Sequence, residues 1–199
     1  MILRTSLTSP FGRKARMAAA HLGLQVDVQP TTAADKGSTL SFDNPLGKMP
    51  VLLLDDGRRV YDSRVINEYF DLIAGGGKII PADPKARIDA LTLQALGDGI
   101  LDAGILVVYE GRMRPREMRH EPWVDYQREK MRRGLAFLAK APPDAARVTV
   151  GSIALACALG YIDWRKQVDW RSDHPELVAW LGRFRGATSA FDATLPPEE

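Results

Sequence analysis

The stretch T-S-P-F-G-R-K-A-R, residues 8–16, stands where a short apolar run ends and an alanine-rich stretch begins. Ser9 is a preferred helix N-cap residue and Pro10 is favoured at the first helical position, so the stretch predicts a helix start. A helix N-terminus also gathers unpaired N–H groups and a partial positive charge, which favour an anion such as a thiolate. Two roles therefore stay open for Ser9: a helix cap alone, or part of a site for thiol chemistry.

The hydrophobic pattern on either side of this stretch predicts a small α/β domain in the order β-α-β, loop, β-β-α. The apolar run at 50–54 is followed by the hairpin signal Asp55-Asp56-Gly57. We expect Ser63 to cap the helix after the hairpin. The predicted elements are a strand at 2–7, a helix at 10–22, strands at 25–29, 50–54 and 59–61, and a helix from 63 to about 73.

A break rich in glycine and proline separates this part from the rest of the chain, with G-G-G at 75–77 and P-A-D-P at 81–84. Such composition is typical of a linker. Beyond it the apolar period is helical, and we expect helices at about 85–110, 122–139, 149–164 and 175–189. The predicted fold class is therefore α/β plus all-α, with an α/β domain over residues 1–76 and an all-helical domain over residues 84–199.

The bulk composition is that of an ordinary globular protein. Of the 199 residues, 45% are apolar and 26% are charged, and the formal net charge is +2. This even balance argues against electrostatic capture of nucleic acid or of an anionic membrane. The single cysteine, Cys157, excludes an internal disulfide, and no Cys/His cluster has metal-ligand spacing, so we expect no bound metal. No apolar run approaches ~18 residues and the N-terminus is not leader-like, so we expect a cytoplasmic protein.

A second stretch, N-P-L-G-K-M-P at residues 44–50, brackets a glycine-containing turn with two prolines. Pro50 has no N–H to offer a sheet, so neighbouring backbone groups are left available. If the Met49–Pro50 bond is cis, the Met49 backbone turns towards the loop side, where an extended ligand can pair with it as an added strand. An ordinary strand-initiating proline beside a solvated Lys48 explains the same residues.

A third stretch, Asp62-Ser63, comes just before the second predicted helix. A helix cap by Ser63 accounts for it fully. A hydroxyl, free helix N–H groups and an adjacent carboxylate also suit an amino-acid zwitterion. In that case Ser63 and the N–H groups bind the carboxylate of the ligand, and Asp62 binds its ammonium group.

Together and in this order, the three stretches resemble the glutathione S-transferase superfamily, in particular its bacterial YibF-type branch. The likeness runs over essentially the whole chain: T-V-G-S-I-A at 149–154 stands where the family has its buried helix-capping motif. That motif usually ends in Asp where this chain has Ser152, whose uncharged hydroxyl gives a weaker cap. The resemblance implies a thioredoxin-like first domain and a helical-bundle second domain.

The resemblance also implies roles in binding glutathione. Met49, ahead of a cis Pro50, is expected to pair its backbone with the cysteinyl part of the tripeptide. Asp62 and Ser63 are expected to hold the γ-glutamyl end.

By the same resemblance, Lys48 or Lys36 reaches the glycyl carboxylate and Ser9 lies beside the sulfur. A serine cannot form a mixed disulfide, as a cysteine can. Its hydroxyl can instead donate a hydrogen bond to the thiolate, and the helix N-terminus adds stabilisation, so that the thiol ionises nearer neutral pH. The nucleophile is then the sulfur of glutathione, which acts as a co-substrate.

On the helical side, Asp98, Asp102 and Tyr109 fall on the long helix that borders the ligand cleft in this family. Any of them can contact the ligand there, although a solvated or interhelix role explains each of them too. Asp98 can alternatively reach glutathione across a dimer interface, because the resemblance implies a homodimer.

Three functions are consistent with these residues. The first is a glutathione transferase whose bound thiolate attacks a small electrophile, as in detoxification. The second is glutathione-dependent reduction of peroxides or mixed disulfides, although the serine at position 9 argues against disulfide exchange through the protein. The third is a non-catalytic protein of the same fold that binds a partner.

Overall fold

The computed structural model describes residues 1–32 and 39–197, and its chain divides into two compact units. The first unit comprises Met1–Ile88 with Thr188–Glu199, and the second comprises Asp89–Ala187. The helices are α1 (Pro10–His21), α2 (Leu40–Asp43), α3 (Ser63–Ile73), α4 (Pro84–Met113), α5 (Glu121–Lys140), α6 (Val150–Arg165), α7 (Trp170–Asp173), α8 (Pro175–Ala187) and α9 (Ala190–Ala193), with a 3₁₀ turn at Arg116–Met118.

One mixed sheet forms the centre of the first unit, with the strand order β2-β1-β3-β4. The strands are β1 (Ile2–Thr5), β2 (Asp27–Pro30), β3 (Val51–Leu53) and β4 (Arg59–Val60). β1 pairs in parallel with β2 and antiparallel with β3, and β4 closes the β3 edge as the return strand of a hairpin. The β-α-β and β-β-α halves therefore meet at the β1–β3 pair.

The junction of β1 and α1 is unusually close. Thr5, at the end of β1, is fully buried, and Gly12 lies opposite it in the first turns of α1. A Cβ at position 12 would lie 2.9 Å from the Thr5 Cβ and closer still to its hydroxyl oxygen. A side chain at position 12 therefore requires either a shift of α1 away from β1 or a different rotamer of Thr5.

The break after α3 is organised by a buried carboxylate. Asp71 accepts backbone N–H bonds from Gly77, Lys78, Ile79 and Ile80, at 2.9, 2.8, 2.7 and 3.2 Å. The stretch predicted as a linker is therefore an ordered segment in this structure, because one side chain satisfies four consecutive backbone donors.

The residues after α8 pack with the first unit, whereas the division predicted from the sequence groups them with the helices. Arg13 of α1 donates a hydrogen bond to the Phe191 carbonyl at 3.0 Å, and its guanidinium lies 4.3 Å from the centre of the Phe191 ring. Further along α1, His21 Nδ1 lies 3.0 Å from the Thr188 hydroxyl. Burial lowers the pKa of His21 from its ordinary value.

The second unit is built around α6, most of which is buried. Its start is a capping box: the Thr149 hydroxyl accepts the Ser152 N–H at 3.2 Å, and the Ser152 hydroxyl accepts the Thr149 N–H at 2.7 Å. Two glycines allow close packing against α4, because a Cβ on Gly97 or Gly151 would lie 2.9 Å or less from backbone atoms of the opposite helix. Cys157 is buried in α6.

Among the residues described, α4 is the one helix that is long and apolar enough to cross a membrane by length and composition. Because the core helix of a soluble protein passes the same test, one such helix is weak evidence for a membrane span. Of its most apolar window, 39% is buried inside the structure.

The predicted fold class is confirmed, with a sheet-and-helix first unit and a helical second unit. The Met49–Pro50 bond is cis, as the resemblance implied, and the Tyr61–Asp62 bond is cis as well. The prediction that Ser63 caps α3 is wrong. Asp62 is the N-cap, because its carboxylate accepts the Arg64 N–H at 2.9 Å, and Ser63 is the first helical residue.

Candidate functional site

The first part of the site is the start of α1, where Ser9 caps the helix as predicted. Its hydroxyl oxygen accepts the Gly12 N–H at 3.1 Å, and Pro10 occupies the first helical position. A hydroxyl that accepts in this way keeps its own proton for a second partner. Ser9 is half-buried, and the first turn of α1 carries no acidic side chain, so an anion beside Ser9 meets no local repulsion from that turn.

The second part is the turn that precedes β3. Asn44 is buried and organises it: its side-chain amide donates to the Lys48 carbonyl at 2.8 Å, and its side-chain oxygen accepts the Leu46 N–H at 3.0 Å. Gly47 has a φ of 60°, a left-handed conformation that glycine adopts without strain. Lys48 is exposed on this turn.

Met49 ties that turn to the start of α1. The Ser6 N–H, in the β1–α1 connection, points at the Met49 sulfur at 3.0 Å. The paired register of β3 with β1 begins at Val51, so the Met49 backbone lies just outside the ladder. Pro50, which joins Met49 to the strand, is buried. The structure therefore brings the turn before β3 next to the connection that leads to Ser9.

The third part is the start of α3. The Asp62 carboxylate is about half exposed and forms an ion pair with Arg64 at 2.9 Å. Burial raises the pKa of Asp62, but hydrogen bonds from the Arg64 side chain and backbone outweigh it, so the pKa lies below its ordinary value. Asp62 is therefore an anion at neutral pH and presents a carboxylate to solvent. Ser63 behind it is buried.

Lys14 connects this third part to α1. Its side chain is fully buried, and its Nζ donates to the Ser63 hydroxyl oxygen at 3.4 Å. The ammonium also lies 5.7 Å from the centre of the Phe11 ring. Ser9 caps α1, and Lys14 lies in the second turn of the same helix. The loop before α1 contacts the second part of the site through Ser6, and Lys14 contacts the third part through Ser63.

The remaining predicted residues lie on α4 or outside the described residues. Asp98 is buried in α4, and Asp102 and Tyr109 are exposed along the same helix in the second unit. Lys36 lies outside the described residues. Among residues 1–32 and 39–197, no group of three or more His, Cys, Asp or Glu side chains is placed to hold a metal ion.

Two residues of this site were missed at the sequence level. Asn44 was treated only as part of a turn. An Asn side chain commonly accepts the backbone N–H two residues further on, and this local bond is a recognised turn signal. Lys14 had no signal at all, because a lysine in a helix is ordinarily solvated and only the tertiary structure buries it.

Two family models match the chain. The model of the N-terminal domain of glutathione S-transferases matches residues 8–73, and the model of the C-terminal domain matches residues 108–183. Among curated proteins, the Escherichia coli K12 protein named "Uncharacterized GST-like protein YibF" is 33% identical over 203 residues, with 100% of both chains covered.

Two solved structures of a Pseudomonas fluorescens Pf-5 glutathione transferase family member are similar to this chain. One, with bound glutathione, has a TM-score of 0.92 and 40% identity and covers 99% of both chains. The other, with bound S-(propanoic acid)-glutathione, has a TM-score of 0.87 and 40% identity and covers 100% of this chain and 98% of that chain.

Proposed function

Because this chain belongs to the glutathione S-transferase family, we propose that it binds glutathione and activates the thiol for attack on a small electrophile. The observation that carries the proposal is the geometry of Ser9. Its oxygen is already occupied by the Gly12 N–H, so its proton is left to donate to a sulfur beside it. A hydroxyl donor at a helix N-terminus favours the thiolate over the thiol.

The chemistry requires only the sulfur of glutathione as nucleophile. Ser9 donates its O–H to the thiolate, and the first-turn N–H groups of α1 add their partial positive charge, which lowers the thiol pKa. The thiolate then forms a C–S bond with the electrophile, which either loses a leaving group or takes up a proton at the adjacent carbon. The protein contributes the ionised sulfur and its position.

The tripeptide is held by the other two parts of the site. The Met49 backbone, next to the end of the β3 ladder, is available to pair with the cysteinyl backbone as an added strand. Lys48 is exposed on the same turn, and we assign it to the glycyl carboxylate. Lys36 keeps the same proposed role from the resemblance.

The γ-glutamyl end is assigned to the start of α3. The half-exposed Asp62 carboxylate suits the α-ammonium of the ligand, although Arg64 competes for it. The Ser63 N–H lies in the first turn of the helix, where backbone donors have no intrahelical partner, and it suits the α-carboxylate.

The electrophile is proposed only by class. The Pf-5 relative was solved with S-(propanoic acid)-glutathione, a thioether that a thiolate forms by adding to an acrylate or by displacing halide from a halopropanoate. Small carboxylic acids of these two kinds therefore belong in an activity panel beside aryl halides. Asp98, Asp102 and Tyr109 are the residues of α4 proposed to contact the second substrate.

A homodimer, a cytoplasmic location and a detoxification role are part of the same proposal. In support of the dimer, only 39% of the most apolar window of α4 is buried inside its own chain, so exposed residues of this window are available to a second copy. The single cysteine of the chain, Cys157, is buried, which fits a reducing compartment.

Titration calorimetry with glutathione tests the proposal. We expect Ser63→Ala to weaken binding by ~1–3 kcal/mol, the usual cost of removing a partner of a charged group. We expect Ser9→Ala to bind nearly as well but with a raised thiol pKa, followed by thiolate absorbance against pH. Ser41→Ala, an exposed serine of α2, is the matched control.

The outcomes separate the three functions. Turnover of electrophiles that falls in Ser9→Ala supports the transferase, whereas turnover of peroxides or mixed disulfides alone supports the reductase. No glutathione binding by the wild type at millimolar concentration would leave the partner-binding protein as the better description.

A further inference from the structure

Lys14 is a fully buried charged residue of the first unit that the proposed mechanism does not use. Its side chain is 0% exposed and is among the largest fully buried side chains in the structure. An ammonium group loses its hydration when it is buried, so such a lysine is retained only where hydrogen bonds and opposite charge compensate. Its surroundings therefore indicate what the charge is for.

Lys14 Nζ lies 3.4 Å from the Ser63 hydroxyl oxygen. Among the described residues, Lys14 is the only hydrogen-bond partner of the Ser63 side chain. An ammonium has three donors and no acceptor, so the direction of this bond is fixed: Nζ donates and Oγ accepts. The proton of the Ser63 hydroxyl is therefore left to donate to a second group.

The charge also acts on the residue next to Ser63. Burial raises the pKa of Asp62, and Arg64 lowers it through hydrogen bonds and charge. The Lys14 charge lowers it further. A cation behind the start of α3 thus stabilises negative charge at two neighbouring positions, on the carboxylate of Asp62 and on any anion that accepts from Ser63.

We propose that Lys14 is a positioning residue for the ligand carboxylate: it holds the Ser63 hydroxyl as a donor and places a positive charge behind it. This inference rests on the proposed function, in which the ligand carboxylate is the γ-glutamyl α-carboxylate of glutathione. Lys14 acts through Ser63, as a fixed cation below the binding surface.

Calorimetry on Lys14→Met tests this inference. Methionine keeps a straight chain of similar length but removes the charge and the donors. We expect the glutathione Kd to rise about tenfold, as for the loss of a charged hydrogen bond. We also expect the melting temperature to stay the same or to rise, because a buried ammonium is replaced by an apolar group. A purely structural lysine predicts the reverse: a lower melting temperature and an unchanged Kd.

Three further variants sharpen the test. Lys14→Arg keeps the cation, and we expect its glutathione Kd to stay within a few-fold of the wild type. Lys14→Gln keeps a donor but no charge, and we expect it to lose most of the affinity for glutathione. This second variant keeps the inference testable if Lys14→Met fails to fold. Lys78→Met, on an exposed lysine of the first unit, makes the same change in net charge and is expected to bind normally.

The double variant S63A/K14M tests whether Lys14 acts through Ser63. We expect the Kd of the double variant to be no higher than the higher of the two single-variant values, because Lys14 acts on the ligand through the Ser63 hydroxyl, which Ser63→Ala already removes. Fully additive losses, or unchanged Kd values in both Lys14→Met and Lys14→Gln, would overturn the inference while leaving the proposed function intact. A wild type that binds no glutathione overturns both.

Discussion

The close approach of β1 and α1 makes Gly12→Ala the sharpest test of how the site is built. A methyl group at position 12 would lie 2.9 Å from the Thr5 Cβ, roughly 1 Å inside ordinary carbon–carbon contact. Thr5 is fully buried, so it has no free space to move into. Either α1 must shift away from β1 by a similar distance or Thr5 must leave its rotamer.

The expected magnitude combines two opposing effects. Overpacking of a buried position costs about 1–3 kcal/mol, and a rigid strand opposite the methyl group places this case near the upper end. Alanine returns about 1 kcal/mol through its higher helix propensity. The net prediction is a loss of roughly 2 kcal/mol in the free energy of unfolding, measured by urea denaturation.

The matched control is Gly99→Ala in α4, where an added Cβ meets nothing within 4 Å. Without a clash only the propensity remains, so this variant is expected to gain about 0.5–1 kcal/mol. The double variant T5A/G12A removes the close oxygen and methyl of Thr5 but leaves its Cβ, so part of the lost stability should return. Gly12→Ala with wild-type stability and wild-type glutathione affinity would refute the reasoning.

Three more predictions follow from buried polar groups. Asp71→Asn is expected to cost ~2–4 kcal/mol in the free energy of unfolding by urea, because an amide NH₂ must face at least one of the four N–H donors that the carboxylate accepts. Asp43 contacts Arg4 and Arg59, and although its burial raises its pKa, these hydrogen bonds outweigh that and hold it below the ordinary value. The stability that Asp43 contributes is therefore present above its unfolded-state pKa of about 3.9 and is lost as the pH falls through its folded-state pKa. Asp43→Asn should therefore lose less stability than the wild type between about pH 5 and pH 2, measured by urea denaturation at each pH. Ser152→Ala is expected to lower the free energy of unfolding by ~1–2 kcal/mol, since it opens the capping box of α6; an unchanged midpoint would show that this cap is dispensable.

Local signals predicted much of the fold. Ser9 and Pro10 gave the start of α1 correctly, because capping depends on residues adjacent in sequence. The long helices followed from their apolar period. The N-cap of α3 was assigned one residue late, to Ser63 instead of Asp62. Both residues are good caps, and only the structure shows that the Asp62 carboxylate accepts the Arg64 N–H.

What depends on distant residues was harder to predict. Periodicity indicates which face of a helix is apolar, but it does not identify the partner of that face. The packing of residues after α8 against α1 was therefore missed, as were α7 and α9, which are one turn each. In the site, the stretches that contain Ser9, Met49 and Asp62 were identified from local chemistry, whereas Lys14 required a contact 49 residues away.

The return of residues 188–197 to the first unit has a consequence for the order of synthesis. Arg13 and His21, made early by the ribosome, find Phe191 and Thr188 only after the whole helical unit has been translated. The nascent first unit can form its sheet long before that, but the outer face of α1 waits for the residues that follow α8. A released chain that ends before residue 188 should therefore expose α1 to protease, whereas the full chain should protect it.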